Sequence, residues 1–245
     1  MRERTATVAT ADGSMETFIA HPEERGAYPA VIMYQNVGGL SELLRGMARR
    51  LAAEGYCCAV PDLYYRYGKI VIDPDDASPE VLAVRKAVVS GMRNARVMED
   101  TRALLAFLDQ DPMVRAGPKG AIGYCMGGRY CLLAAQNFPD RIRATSSLFP
   151  TLLMTDAEDS PHRHLDRIAG EVYFGFAEHD HSLSLADAAK FTGLLKAQCS
   201  AKWEAEVHPG TEHGFAFPGR KVYHRDASER AWQKSFAMFA RVLRG

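Results

Sequence analysis

The sequence predicts an α/β fold in which a mostly parallel central sheet has helices on both faces and an N-terminal antiparallel hairpin. From Ala30 onward, short apolar runs alternate with amphipathic stretches, which is typical of parallel strands and their covering helices. Near the N-terminus, two strand-like segments flank Asp12-Gly13, a pair that favours a hairpin turn. Farther along, the apolar run Lys119–Tyr124 leads directly into a helical pattern, and glycines mark the junction.

The predicted strands are apolar runs bounded by turn residues. Asp12-Gly13 separates the two hairpin strands, and Pro61 ends the run at 56–60. In chain order, the predicted strands are 5–10, 16–20, Ala30–Tyr34, 56–60, Lys119–Tyr124, 144–149, 171–176 and 202–207.

The predicted helices have apolar residues at helical spacing and recognisable ends. Ser41 is a suitable N-cap for the first helix, which stops at Gly55. Ser78-Pro79 opens a long helical region that we expect to break near Ser90-Gly91. In chain order, the predicted helices are 41–54, 78–110, Met126–Asn137, 184–198 and 228–243.

Length and charge favour one soluble domain over residues 1–245. The chain is 47% hydrophobic and 24% charged, and its 30 Lys and Arg balance 30 Asp and Glu, so that neither nucleic acid nor a membrane surface is the expected partner. No apolar run reaches the ~18–20 residues of a membrane span, and the N-terminal segment lacks the apolar core of a secretory signal. We expect a cytoplasmic protein that is a monomer or small homo-oligomer.

The junction after Lys119–Tyr124 carries the strongest functional signal. Its sequence Gly-Tyr-Cys-Met-Gly places Cys125 at a G-x-nucleophile-x-G turn, where bulkier residues at Gly123 or Gly127 would collide with adjacent backbone. The helix that follows begins at Met126, and its dipole favours a thiolate at Cys125. The alternative is that Cys125 is a small buried residue.

An acid and a base are expected after two later strands. Asp180 follows the run at 171–176, at the strand end where ligands gather in parallel sheets, and His213 lies in a short glycine-bounded loop after 202–207. With Cys125 they have the chain order nucleophile, acid, histidine. Glu178 is the rival acid and His208 the rival base.

The remaining cysteines and histidines favour structural interpretations. Five cysteines, with no C-x-x-C pair, argue against a disulfide framework and for a reducing compartment. Four of the five lie in strand or helix patterns and are expected to pack in the core: Cys57, Cys58, Cys131 and Cys199. Four histidines near acidic residues match no zinc spacing, so that no metal or other cofactor is expected: His162, His164, His179 and His181.

These motifs resemble the dienelactone hydrolase (carboxymethylenebutenolidase) family of α/β-hydrolases. The resemblance extends over most of the chain and rests on G-Y-C-M-G-G around Cys125, P-D-L-Y at 61–64, the Asp180 position and E-H-G-F at 212–215. It implies the α/β-hydrolase fold and a Cys125–His213–Asp180 triad that cleaves a small ester or lactone through a thioester. It also implies an oxyanion hole formed by the backbone N–H groups of Val37 and Met126.

The sequence departs from the family at positions that contact the substrate. It has Asn36 where the family has a glutamate that controls thiol ionisation, and Phe217 where the family has one of two arginines that hold a substrate carboxylate. Glu80 lies near the position of the other arginine. We therefore expect an uncharged or bulkier substrate, with Tyr64 and Phe217 lining its pocket.

Two sets of alternatives remain open. One alternative to the uncharged substrate is that another arginine has taken over the binding of a carboxylate, with Arg85 favoured over Arg93 and Arg129. A separate alternative is that the tyrosine loop containing Tyr64 packs on the sheet edge instead of lining a pocket. At the level of function, the rivals are a thioesterase or peptidase-like relative on the same fold and a non-catalytic ligand-binding or redox-sensing protein.

Overall fold

Eight strands and six α-helices account for most of the described residues, 1–24 and 26–245, in a computed structural model of the chain. The contacts between residues divide the chain into two compact units, residues 1–117 and 118–245. The expectation of one domain over residues 1–245 stays a prediction.

The first unit contains four strands in the order β1-β2-β4-β3, and the N-terminal pair forms the expected hairpin. β1 and β2 are antiparallel from end to end, and Thr10 pairs with Gly13, whose φ of +137° suits glycine. β2 pairs antiparallel with β4, and β3 pairs parallel with β4. The strands are β1 (Arg2–Thr10), β2 (Gly13–His21), β3 (Ala30–Tyr34) and β4 (Cys57–Pro61).

Three α-helices belong to this unit: α1 (Glu42–Ala53), α2 (Pro79–Gly91) and α3 (Asn94–Gln110). The Ser41 hydroxyl accepts a hydrogen bond from the Leu44 N–H, which confirms the predicted N-cap. The predicted break in the long helical region is also confirmed, because α2 ends at Gly91 and α3 begins at Asn94.

A buried ionic network ties the hairpin turn to α3. The Asp100 carboxylate is 1% exposed and accepts two hydrogen bonds from the Arg66 guanidinium, at 2.7 and 2.8 Å. The Tyr65 hydroxyl donates to Asp100 at 2.9 Å and contacts the Thr10 hydroxyl at 2.7 Å. Arg66 also donates to Asp12 in the turn itself. Every partner of the buried carboxylate is therefore held in place by another part of this unit.

The second unit contains four parallel strands in the order β5-β6-β7-β8 and three α-helices. The strands are β5 (Lys119–Tyr124), β6 (Ile142–Leu148), β7 (Glu171–His179) and β8 (Trp203–Glu212). The helices are α4 (Met126–Asn137), α5 (Leu185–Gln198) and α6 (Arg225–Leu243). Among the described residues, no helix combines the length and the apolar character that crossing a bilayer requires.

Several boundaries differ from the sequence prediction, and two of the differences have a clear cause. β8 continues past residue 207 to Glu212, because its pairing with β7 resumes after a register shift and joins His179 to Glu212. α6 begins three residues earlier than expected, because His224 caps it and accepts a hydrogen bond from the Ala227 N–H. The first correction matters for the site, since it brings the ends of β7 and β8 level.

Replacing Asp100 by alanine is expected to destabilise the fold by about 3–5 kcal/mol, because it leaves a largely buried guanidinium without its main partner. Urea unfolding measures the change. Glu204→Ala, which removes the exposed partner of Lys234, is the control and should cost less than ~1 kcal/mol. Similar losses in the two variants would contradict the assignment of Asp100 as a structural anchor.

Candidate active site

Cys125 lies on a strained turn between β5 and α4. Its φ of 57° and ψ of −120° are unfavourable for any residue with a side chain. Gly123 makes the turn possible, because a Cβ at this position would lie 2.0 Å from the carbonyl oxygen of Gly127. A Cβ on Gly128 would lie 2.9 Å from Pro150, so that α4 can begin close to the next loop. The thiol is thus presented at the N-terminus of a twelve-residue helix.

Asp180 and His213 are neighbours because the parallel strands β7 and β8 end side by side. His179 pairs with Glu212, and the next residue of each strand is Asp180 on one and His213 on the other. Their side chains meet directly, with His213 Nδ1 2.9 Å from Oδ1 and 2.8 Å from Oδ2 of Asp180. The backbone N–H of Ser182 donates to the same carboxylate at 2.7 Å.

The pair is shielded from water and linked to the thiol. The side chains of Asp180 and His213 are only 2% and 8% exposed. Burial by itself would lower the pKa of His213, but hydrogen bonds to Asp180 and Cys125, together with the charges of both partners, raise that pKa to about 9. Since Asp180 occupies Nδ1, the hydrogen bond to Cys125 uses Nε2. The arrangement favours a protonated His213 ring beside Cys125 at neutral pH.

Aromatic rings hold the imidazole in position. The ring of Phe149 meets His213 edge-on, with centroids 5.2 Å apart, and the ring of His181 approaches at 4.9 Å. Phe149 directly follows β6 and has a φ of 35°. Sequence reasoning assigned Phe149 to a strand and missed its role, because phenylalanine gives no signal for a left-handed backbone conformation.

Phe217, which the sequence places in the substrate pocket, lies among aromatic rings, and its contact with a substrate stays a prediction. Its side chain is only 1% exposed and packs 5.3 Å from the ring of Tyr124 and 5.5 Å from that of Phe149. Apolar packing with these two rings is more favourable than contact with solvent. Phe217 therefore packs against Phe149, and almost none of its side chain is exposed.

The rival acid and base lie elsewhere in this unit. Glu178 accepts a hydrogen bond from the backbone N–H of Gly210 at 2.7 Å and so stabilises the bend in β8. His208 lies within β8, not at its end, and its Nε2 is 3.0 Å from the Tyr173 hydroxyl. Burial lowers the pKa of His208, which favours the neutral ring.

In the first unit, the loop after β3 is held by the residues that follow β4. The side chain of Gln35 accepts a hydrogen bond from the Leu63 N–H, and the Tyr64 hydroxyl donates to the Val37 carbonyl at 3.1 Å. Tyr64 has no exposed surface, and its expected place in a substrate pocket stays a prediction. Its ring fills the interior, and its hydroxyl satisfies a backbone carbonyl.

Other predicted residues of this unit have definite positions but no tested role. Asn36 is buried, and its side-chain oxygen accepts a hydrogen bond from the Gly38 N–H at 3.1 Å. On α2, Glu80 is exposed in the first turn and Arg85 is half-buried. The assignments of Val37 and Asn36 to the reaction, and of Arg85 to substrate binding, stay predictions.

The other four cysteines are poor candidates for chemistry. Burial raises the pKa of Cys57 to about 12 and that of Cys58 well above its usual range. Burial also raises the pKa of Cys131 and that of Cys199, which is less completely enclosed. All five thiols are free.

The histidines outside the site have local partners. His162 contacts the Ser160 hydroxyl at 2.8 Å, and His164 contacts the Glu158 carbonyl at 3.1 Å. Across residues 1–24 and 26–245, no three His, Cys, Asp or Glu side chains are arranged to hold a metal ion.

Comparisons with known proteins agree with the resemblance seen in the sequence. The family model described as the dienelactone hydrolase family matches residues 15–243. A candidate carboxymethylenebutenolidase of Synechocystis sp. is 29% identical over 231 residues, which is 93% of this chain and 92% of the relative. A candidate 2-oxo-3-(5-oxofuran-2-ylidene)propanoate lactonase of Bradyrhizobium sp. is 25% identical over 232 residues, which is 93% of this chain and 90% of the relative.

A solved structure confirms the predicted fold class. The crystal structure of a candidate dienelactone hydrolase from Klebsiella pneumoniae superimposes with a TM-score of 0.87 at 26% identity, and the match covers 98% of both chains. The chain therefore has the α/β-hydrolase fold, with its mostly parallel sheet.

Gly123→Ala is expected to disrupt the turn that carries Cys125, because the added Cβ would clash with backbone that cannot move independently of α4. The loss of stability should exceed the ~1–3 kcal/mol typical of overpacking. Gly193→Ala is the matched control, since nothing lies within 4 Å of a Cβ at that position in α5 and the change should stabilise by up to about 1 kcal/mol. Thermal unfolding of both variants makes the comparison, and a stable Gly123→Ala protein would refute the geometry.

Cys125 is expected to be alkylated first when the protein is briefly treated with iodoacetamide at pH 7. The imidazolium of His213 stabilises its thiolate, whereas burial keeps the other four thiols protonated. Peptide mapping by mass spectrometry identifies the modified residue. His213→Ala should shift the pH midpoint of alkylation upward, because a nearby positive charge is lost, and His208→Ala should leave it unchanged. Initial labelling at another cysteine would contradict the assignment.

Proposed function

The chain belongs to the dienelactone hydrolase family, and we propose that it cleaves a small, uncharged carboxylic ester or lactone with a Cys125–His213–Asp180 triad. As a member of this family it is a hydrolase of ester or lactone bonds. The observation that carries the finer proposal is the continuous chain of hydrogen bonds from Asp180 through His213 to Cys125. A buried, oriented pair of this kind is what activation of a nucleophilic thiol requires.

In the first half of the reaction, the Cys125 thiolate attacks the carbonyl carbon of the substrate. The carbon–oxygen bond to the alcohol then breaks, and the departing oxygen takes the proton from Nε2 of His213. The product of this half is a thioester on Cys125. An ester releases a free alcohol, whereas a lactone opens to a hydroxyl that stays attached to the acyl group. Asp180 holds the imidazole by Nδ1 and stabilises its positive charge until the proton leaves.

In the second half, the now neutral His213 takes a proton from water at Nε2. The hydroxide formed attacks the thioester carbon, the carbon–sulfur bond breaks, and the thiolate is restored beside the imidazolium. The same nitrogen thus acts as an acid and then as a base. The pKa of about 9 keeps His213 protonated for the first step. In the thioester the charge of Cys125 is absent, so one cause of the raised pKa is removed and the neutral ring can act as the base.

The negative oxygen of each tetrahedral intermediate needs hydrogen-bond donors. The Met126 N–H lies in the first turn of α4, directly after the nucleophile, where the helix dipole adds to its effect. Val37, in the loop after β3, is the second donor that the family resemblance implies. The bond from Tyr64 to the Val37 carbonyl supports a fixed conformation of that loop.

The uncharged character of the substrate is inferred from positions that lack the family's arginines. Phe217 is enclosed among aromatic rings, and Glu80 is an exposed anion on α2. Neither residue can replace a charge-assisted Arg–carboxylate contact, which contributes about 1.5–3 kcal/mol.

Turnover of p-nitrophenyl acetate and of a simple γ-lactone tests the reaction, because Cys125→Ala should lower kcat/KM by a factor on the order of 10³–10⁶. In His213→Ala, the acetyl thioester on Cys125 should accumulate to a level that mass spectrometry detects, because the base of the second half is missing. Turnover that survives in Cys125→Ala would refute the proposal, whereas absence of turnover in the wild type would favour a binding or redox protein. A higher kcat/KM for thioesters or peptides than for esters would favour the rival hydrolases.

Matched variants separate the triad from its neighbours. Asp180→Asn should lower kcat by about 10²–10⁴-fold, while Glu178→Gln should have little effect. His213→Ala should lower kcat far more than His208→Ala does. Equal losses within either pair would mean that the acid or the base has been misplaced.

A further inference from the structure

A cavity of about 220 Å³ lies between the segment after β6 and the loop after β7. Its apolar lining consists of Leu152, Leu153, Met154 and Leu183. Leu153 and Leu183 belong to the hydrophobic core that packs around α5, so the floor of the cavity is rigid. The triad described above accounts for none of these side chains.

Both walls of the cavity are bonded to the triad. On one side, the N–H of Thr151, which precedes Leu152, donates to the Cys125 carbonyl at 3.2 Å. On the other side, the N–H of Ser182 donates to the Asp180 carboxylate at 2.7 Å. The cavity is therefore adjacent to the nucleophile and to the acid that orients His213.

Leu152 is a conspicuous residue in this wall. Its φ of 56° is strained for a β-carbon-bearing residue, and half of its side chain, 50%, is exposed. Among the described residues, only two other non-glycine residues have positive φ, Cys125 and Phe149. Cys125 is the proposed nucleophile and Phe149 packs against His213, so the third strained residue lies in the same neighbourhood. Strain combined with apolar exposure indicates a ligand contact.

The charges around the cavity indicate an uncharged ligand. Asp187 and Lys190, both on α5, are the two charged residues of the lining, and their charges cancel. The lining combines four apolar residues with Ser182 and two opposite charges, so it has no net charge and favours an uncharged group over a carboxylate.

We infer that this cavity binds the alcohol side of the ester, as a subsite for an uncharged alkyl or aryl leaving group. The inference rests on the proposed function, because it takes His213 as the proton donor to the leaving oxygen. The leaving oxygen must lie against His213 Nε2, and the cavity wall at Ser182 is bonded to the carboxylate that holds that same ring. The two sides of the cavity are linked by hydrogen bonds to Cys125 and to Asp180, and the group attached to the leaving oxygen is assigned to it on that basis.

Acetate esters of methyl, propyl and pentyl alcohols test the subsite by kcat/KM. Each methylene that enters the cavity should raise kcat/KM by up to about fourfold. An acetate ester whose pentyl chain ends in a carboxylate should lose this gain. A parallel series of methyl esters with acetyl to hexanoyl groups should show little dependence on length. Dependence on the acyl chain instead of the alcohol chain, or a faster reaction of the carboxylate-bearing ester, would overturn the inference.

Two variants at Leu152 separate its side chain from its backbone strain. Leu152→Ala keeps the strain and Leu152→Gly relieves it, and both remove the apolar wall. Each should reduce the pentyl-to-methyl ratio of kcat/KM by about three- to tenfold. Leu185→Ala is the matched control, because Leu185 is 47% exposed and does not line the cavity. A reduced ratio in Leu185→Ala, or an unchanged ratio in both Leu152 variants, would overturn the role of Leu152.

The outcome also distinguishes this inference from the proposed function. If methyl acetate is turned over by the wild type and not by Cys125→Ala, the triad stands, and a flat chain-length profile refutes only the subsite. If Cys125→Ala retains turnover of methyl acetate, the proposed function and the subsite fail together.

Discussion

The parallel alignment of β7 and β8 at their carboxyl ends is the constraint on which the site depends. Two side chains from distant parts of the sequence meet because the pairing of His179 with Glu212 leaves the next residue of each strand at the same level. The Asp180 carboxylate therefore reaches His213 directly, and its Oδ2 lies 2.8 Å from Nδ1 of the ring. Because both side chains are almost fully buried, water competes weakly for this bond, and the charge of the imidazolium is held by the protein itself.

Burial and charge shift the pKa of His213 in opposite directions, and their balance determines whether the ring is protonated at neutral pH. Burial lowers the pKa of His208 in the same unit, where its Nε2 contacts the uncharged hydroxyl of Tyr173. His213 is also buried, yet Asp180 on one nitrogen and Cys125 on the other reverse the direction of the shift. The two histidines are five residues apart on the same strand and its following loop, so their opposite behaviour comes from their partners and not from depth.

Much of the fold and the strained turn at Cys125 could be predicted because their signals are local. The turn at Asp12-Gly13, the N-cap at Ser41 and the glycines around Cys125 each describe a backbone conformation within a few residues. The pocket residues could not be predicted in the same way. Whether Tyr64 or Phe217 faces a substrate depends on how distant rings pack around it, and in both cases the interior of the unit encloses the side chain.

Two of the three strained non-glycine residues described in the second unit are held by the neighbouring strand. Cys125 follows β5 and donates its N–H to Leu148, and Phe149 follows β6 and donates its N–H to Gly175. Each strained residue is thus fixed by the neighbouring strand at the point where the regular ladder ends. Leu152 is held less directly, through the bond of Thr151 to the Cys125 carbonyl. Strain of about 1–3 kcal/mol per residue persists only where the surroundings leave no alternative. Here, the hydrogen bond from the Thr151 N–H to the Cys125 carbonyl holds the segment that contains Leu152. The conformation of Leu152 is thereby linked to that of the proposed nucleophile.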